Sequence, residues 1–181
     1  MKGVVFTEFL EMVESAFSPD VADQIVEASD LPSGGVYTAV GTYDHAEIVT
    51  LVQHLSVETK VSVDDLLHTF GKHLFGRFVE GYPGFFEGEQ NAFQFLQSVE
   101  EYIHVEVKKL YPDAELPSVI ATLESPDHLK IVYRSDRNMG DLAHGLIEGC
   151  IKYFAEPIDI QRSGSSSGVK HETEFHLVRA A

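Results

Sequence analysis

Residues 111–135 read YPDAELPSVIATLESPDHLKIVYRS, and this stretch decides the fold class of the chain. Over residues 119–124 and again over 129–133, alternate side chains fall on two faces with a period of two, which is typical of β-strands. Between these runs, residues 125–127 (Ser-Pro-Asp) have the composition of a tight turn. The stretch therefore predicts two strands joined as a hairpin.

The residues before Tyr111 follow a helical period instead, with apolar side chains at three- and four-residue steps. Ser18 followed by Pro19, and Ser62 three residues before Asp65, have the features of helix N-termini. The predicted helices run from about Val4 to Phe17, from Pro19 to Val26, from His45 to Ser56, from the capping box that starts at Ser62 through Leu66 to Phe78 and, after a break at Gly81–Gly84, from about Glu89 to Leu110. The last and longest of them is predicted to bury a stripe made of Phe93, Leu96, Val99, Ile103, Val107 and Leu110.

Beyond the hairpin the two periodicities alternate once more. A helix is predicted from about Met139 to Phe154, followed by a strand through Ile158 and Ile160. The serine-glycine run 163–168 is predicted to be a turn, because a strand pattern resumes at 173–177. The fold class is therefore α+β, with helices first and then a four-stranded antiparallel sheet made of two hairpins around a crossing helix.

Composition excludes several classes of function. The 181 residues include 13 Lys+Arg and 29 Asp+Glu, a net charge of −16 that disfavours nucleic acid and anionic membrane surfaces. The apolar runs are far shorter than the roughly 20 residues needed to span a bilayer, and acidic residues interrupt any signal-peptide core at the start. Cys150 is the single cysteine, so an internal disulfide is impossible. We expect one soluble, cytoplasmic domain over residues 1–181.

Nine histidines invite a search for a metal site. His171 and His176 are five residues apart on a strand, so they point to opposite faces. His68 and His73 are also five apart, but on a helix, where that spacing separates them by about 140°. Neither pair has the four-residue spacing of a zinc-binding helix, and surface histidines are the simpler interpretation of His45, His54, His128, His171 and His176.

Two other features have the residue types of a cofactor site. His104 lies at the edge of the apolar stripe of the long helix, where one imidazole nitrogen can ligate a haem iron while the other is hydrogen-bonded. In an extended chain Tyr133, Ser135 and Arg137 project to one side, and their hydroxyl and guanidinium groups suit the binding of carboxylates. The alternative for His104 is a structural histidine that is hydrogen-bonded at the edge of the core. The alternative for Tyr133, Ser135 and Arg137 is the polar face of an ordinary strand.

Taken together, these features resemble the H-NOX (haem-nitric oxide/oxygen binding) family, in which a helical histidine is followed 29 residues later by Tyr-x-Ser-x-Arg. The resemblance extends over nearly the whole chain, including residues 1–3, 113–117 and 145–149. It implies a distal helical subdomain at about 1–60 and, at about 61–181, the long haem-ligating helix, the sheet and the crossing helix.

The resemblance also implies the roles of individual residues. His104 would be the proximal iron ligand of a non-covalent haem b, which agrees with the lack of a Cys-x-x-Cys-His motif. Tyr133, Ser135 and Arg137 would hold the haem propionates, and Pro117 would press on the haem and distort its plane. The distal pocket would be lined by Val5, Phe9, Leu74, Phe78, Leu142 and Leu146.

The distal residues decide which gas is bound. Oxygen-binding relatives carry a hydrogen-bond-donating tyrosine at the position of Leu142, and bound dioxygen needs such a donor whereas NO does not. An apolar wall therefore predicts a sensor of nitric oxide, with CO as a further ligand. His73 and His144 are the two residues that would change this prediction if either imidazole reached the distal side.

The function implied is a sensor and not an enzyme. Binding of NO at the ferrous iron would break the bond to His104, and the resulting change of shape would regulate a separately encoded histidine kinase or cyclic-di-GMP enzyme. The chain is expected to be monomeric when alone. The alternatives are an oxygen-binding haem sensor, a haem enzyme acting on NO or peroxide, and a haem-free interaction module.

Overall fold

The computed structural model describes residues 1–167 and 170–180, and the fold is helical at the start and built on an antiparallel sheet at the end. The helices are α1 Gly3–Ala16, α2 Pro19–Ala28, α3 His45–Thr59, α4 Val63–Gly81, α5 Ala92–Ser98, α6 His104–Leu110 and α7 Gly140–Phe154, with a 3₁₀ turn at Pro83–Phe85 and a π-helical segment at Val99–Ile103. The strands are β1 Ser118–Ser125, β2 His128–Ser135, β3 Ile158–Ser167 and β4 Lys170–Arg179. The predicted α+β class is confirmed. None of the helices in these two ranges combines the length and apolar character needed to cross a membrane.

The helix starts follow from local capping chemistry. The Ser18 side chain accepts a hydrogen bond from the backbone N–H of Val21, with Pro19 at the first helical position of α2. Ser62 caps α4 in the same way, accepting from the N–H of Asp65 and donating to its carboxylate at 2.6 Å. Both N-termini lie where the sequence predicts them, because each cap uses residues within one helical turn.

The long helix predicted before Tyr111 is not a regular α-helix. It runs as α5, then one π-helical segment at Val99–Ile103, then α6, which begins at His104. A π-segment inserts one extra residue per turn and often marks a functional position. Of the predicted stripe, Phe93 and Leu96 are buried and Val99, Ile103 and Val107 are half-buried. The prediction was wrong for Leu110, which is the last residue of α6 and is 62% exposed.

The sheet has the strand order β1-β2-β4-β3, with every neighbouring pair antiparallel. The predicted turn at 163–168 was wrong, because residues 163–167 continue β3 and pair with 170–174 of β4. Gly168 lies outside the described residues. Backbone pairing determines that this segment is a strand, since serine and glycine can extend a strand when a partner strand continues beside them.

Helices α4 and α7 pack with their backbones in contact. A Cβ on Gly145 would lie 2.0 Å from the carbonyl oxygen of His68, and a Cβ on Gly71 would lie 2.3 Å from the carbonyl oxygen of Leu142. Side chains cannot occupy these positions without moving the backbone. The two glycines therefore fix the relative positions of two helices that carry several of the candidate site residues.

Candidate functional site

His104 is held through one ring nitrogen. Its Nδ1 lies 3.2 Å from Oε2 of Glu100, one helical turn earlier, and its side chain is only 18% exposed. Burial lowers the pKa of His104, while Glu100 acts in the opposite direction. An imidazole that is neutral and donates from Nδ1 has its Nε2 lone pair available for a metal.

Glu100 connects this histidine to the sheet. The same Oε2 atom accepts a hydrogen bond of 2.8 Å from the backbone N–H of Val119 in β1. Sequence reasoning missed this residue, although a carboxylate four residues before a histidine on a helix is a recognisable signal. The contact couples the π-helical segment before α6, and through Glu100 the His104 ring, to β1.

Tyr133, Ser135 and Arg137 are brought together at the end of β2, but not as one strand face. Tyr133 and Ser135 belong to β2, whereas Arg137 lies beyond its end, and its backbone N–H donates to Ser135 Oγ at 3.1 Å. The prediction of three residues along one extended strand was therefore wrong for Arg137, because the serine hydroxyl bends the chain in a local turn. Burial raises the pKa of the Tyr133 phenol, which stays protonated and able to donate.

The Arg137 guanidinium already binds a carboxylate. It is paired with the side chain of Glu115 and donates to the carbonyl oxygen of the same residue at 3.3 Å. Arg137 also lines a cleft of about 340 Å³ beside the chain N-terminus and Lys2. Burial, and next the charge of Arg137, lower the pKa of the amino group of Met1. Pro117 is half-buried two residues after Glu115, directly before β1.

The six residues predicted to line a distal pocket all belong to the main hydrophobic core. Phe9 and Leu74 are fully inside it, and the other four are half-buried against it. The six are Val5, Phe9, Leu74, Phe78, Leu142 and Leu146. They come from α1, α4 and α7, so this part of the core is made by helices far apart in sequence.

The two histidines that could have added a polar donor make other contacts. His73 Nε2 is buried and makes no hydrogen bond; it lies 3.6 Å from Glu8 Oε2, which is itself bound by Arg77 at 2.7 Å. The ring of His144 lies 4.6 Å from that of His68. His144 follows Leu142 by two residues, a rotation of about 200° that puts the two side chains on nearly opposite faces of α7.

These residues fit a haem in three independent respects. A half-buried imidazole with a lowered pKa offers Nε2 for the iron, a guanidinium that already holds a carboxylate can hold a propionate, and apolar core side chains can cover a porphyrin face. Glu115 would have to share Arg137 with a propionate or be displaced by it.

Comparisons with known proteins agree with one another. The family model described as Haem-NO-binding matches residues 2–162. The Fe(II) unliganded H-NOX protein from K. algicida is 38% identical with a TM-score of 0.93, over 100% of this chain and 97% of that one. An H-NOX mutant from T. tengcongensis has a TM-score of 0.90 at 24% identity, over 100% and 98% of the two chains, which is a likeness of fold alone. No curated protein matches the chain.

Proposed function

This chain belongs to the haem-NO-binding (H-NOX) family of haem-binding gas sensors, and we propose that it senses nitric oxide and passes the signal to a separately encoded partner. The cofactor is a haem, which supplies the iron where the gas binds. The observation that supports the proposal best is His104, a half-buried imidazole whose Nδ1 is fixed by Glu100, which leaves Nε2 for the iron.

The binding residues proposed for the haem are those of the sequence pattern. His104 would ligate the iron, and Tyr133, Ser135 and Arg137 would hold the propionates at the end of β2. Pro117, in the segment that leads into β1, would contact the porphyrin plane. Arg137 suits this task because its planar fork binds a carboxylate through two nitrogens.

Selectivity for NO over dioxygen is supported by the apolar distal side chains. None of the six proposed distal side chains carries a hydrogen-bond donor. His73 lies beside Glu8 without a hydrogen bond from Nε2, and the ring of His144 lies against that of His68. A missing donor costs roughly 1–3 kcal/mol, which is about ten- to a hundredfold in affinity for a ligand that needs it. NO does not need the donor, so a distal side without one lowers the affinity for dioxygen and leaves that for NO unchanged.

The signal would start at α6. His104 is the first residue of this helix, and Glu100, in the π-helical segment just before it, is hydrogen-bonded to Val119 of β1. Release of His104 from the iron would remove that attachment of α6 to the haem, and the junction between the helix and the sheet could then shift. The partner is proposed to be a cytoplasmic histidine kinase or cyclic-di-GMP enzyme, and the charge of −16 suits a basic docking face on it.

Hydrogen exchange of the haem-loaded protein tests this proposal. NO should speed amide exchange in residues 104–110 relative to the ferrous protein without ligand. In His104→Gly supplied with free imidazole the helix is already untethered, so NO should add nothing. Equal exchange with and without NO in the unaltered protein would contradict the proposal.

A further inference from the structure

Three side chains that the sensor proposal does not use converge between α4 and α7. They are His68 of α4 and His144 and Glu148 of α7, and their ligand atoms all lie within 4.8 Å of one another. His144 and Glu148 are four residues apart on one helix, so they share a face. The close approach of Gly71 and Gly145 fixes both helices beside this cluster.

The state of His68 points to a missing ligand. Its Nε2 is buried and forms a 2.7 Å ion pair with Oε2 of Glu148, but like Nε2 of His73 it makes no hydrogen bond of normal geometry. The carboxylate is therefore off the axis of the ring nitrogen, and a buried polar atom without a bonded partner is costly. The other carboxylate oxygen is 3.2 Å from Lys72 Nζ, so Oε2 is the one left for a ligand.

We infer that His68, His144 and Glu148 bind a divalent transition-metal ion, with Zn²⁺ as the best match, and that the ion bridges α4 and α7. Two imidazoles and one carboxylate are a common zinc ligand set, with a fourth position left for water. Burial, and after it the charges of His68 and Arg162, lower the pKa of His144, which favours the neutral form that ligates a metal. This inference is independent of the haem.

A second histidine cluster, on the outer face of the sheet, is a weaker candidate. There His128 Nε2 and His176 Nδ1 are hydrogen-bonded to each other at 2.9 Å. The remaining nitrogens face Glu124 at 3.2 Å and Glu174 at 2.8 Å. Every ring nitrogen of this pair already has a partner, in contrast to His68. The cluster therefore serves as the matched control.

Equilibrium dialysis of the haem-loaded protein against buffered Zn²⁺, with the metal counted by mass spectrometry, tests the site. We expect one Zn²⁺ per chain, with affinity lowered at least tenfold in His68→Gln and in Glu148→Gln. His176→Gln should bind as the unaltered protein does. Lys72→Gln should bind more tightly, since it frees the second oxygen of Glu148 and removes a competing cation.

Stability gives a second measure. At a free Zn²⁺ concentration a hundred times the Kd, Tm should rise by about 5–10 °C in the unaltered protein and not in His68→Gln. No bound zinc, or binding that survives both ligand substitutions, would overturn the inference. Loss of zinc in His176→Gln alone would assign the metal to the sheet and overturn it equally.

Discussion

Replacing Glu100 by alanine removes two contacts of one carboxylate oxygen: the 3.2 Å contact with His104 Nδ1 and the 2.8 Å hydrogen bond from Val119 N–H. A hydrogen bond to a charged group contributes about 1.5–3 kcal/mol. The Glu100 side chain is 41% exposed, so water can replace part of this and the expected loss is about 1–2 kcal/mol in all. The histidine also loses the partner that fixes its ring.

Transfer of haem from the protein to excess apomyoglobin measures the effect at the site itself. Glu100→Ala should release haem about 10–100 times faster than the unaltered protein, the usual consequence of removing the partner of a metal-bound histidine. Glu100→Gln keeps an acceptor oxygen and should fall between the two. The exposed neighbour Glu101, changed to alanine, is the control. Identical rates for Glu100→Ala and Glu101→Ala would refute the role of this carboxylate.

Two further predictions concern α7. Leu142→Tyr should introduce a donor and create measurable oxygen affinity in the ferrous protein; a variant that only oxidises in air would count against the placement of this residue on the distal side. Gly145→Ala should lower the free energy of unfolding by about 1–3 kcal/mol, because the new Cβ would lie 2.0 Å from the His68 carbonyl oxygen. Urea titration of both variants measures this, with Gly76→Ala as the control, because Gly76 is at an exposed helical position where a new Cβ would meet no atom within 4 Å. Gly76→Ala should be neutral or stabilising. Equal losses of unfolding free energy in both variants would contradict the packing argument.

The parts of the fold set by local chemistry follow from the sequence. Ser18 and Ser62 cap their helices within one turn, and the alternation in 119–133 becomes the hairpin of β1 and β2. Such features depend on residues that are neighbours in the chain, so their outcome can be worked out from propensity and capping alone.

The parts set by tertiary contacts do not follow from it. The serine-glycine run 163–167 is a strand because 170–174 pairs with it. The π-segment before His104 and the contact of Glu100 with Val119 require knowledge of where β1 lies. Histidine spacing within single helices and strands predicted no histidine cluster. His68 and His144 nevertheless meet, because they lie on two different helices that pack together.

For the candidate site, the histidine and the Tyr-x-Ser-x-Arg pattern could be predicted because chemistry restricts the residue types. The position of Arg137 could not, because the turn that moves it off the strand is made by Ser135 Oγ. Its pairing with Glu115 joins segments 22 residues apart, which no local pattern encodes.

The central claim is that His104 tethers a haem whose other side excludes oxygen. An absorption spectrum of the purified, dithionite-reduced protein tests it most directly, recorded first without ligand, then in air and then with NO. We predict a five-coordinate ferrous haem that is unchanged by oxygen and gives a five-coordinate NO complex. A stable oxygen complex would contradict the apolar distal side, and a protein that takes up no haem would contradict the role of His104.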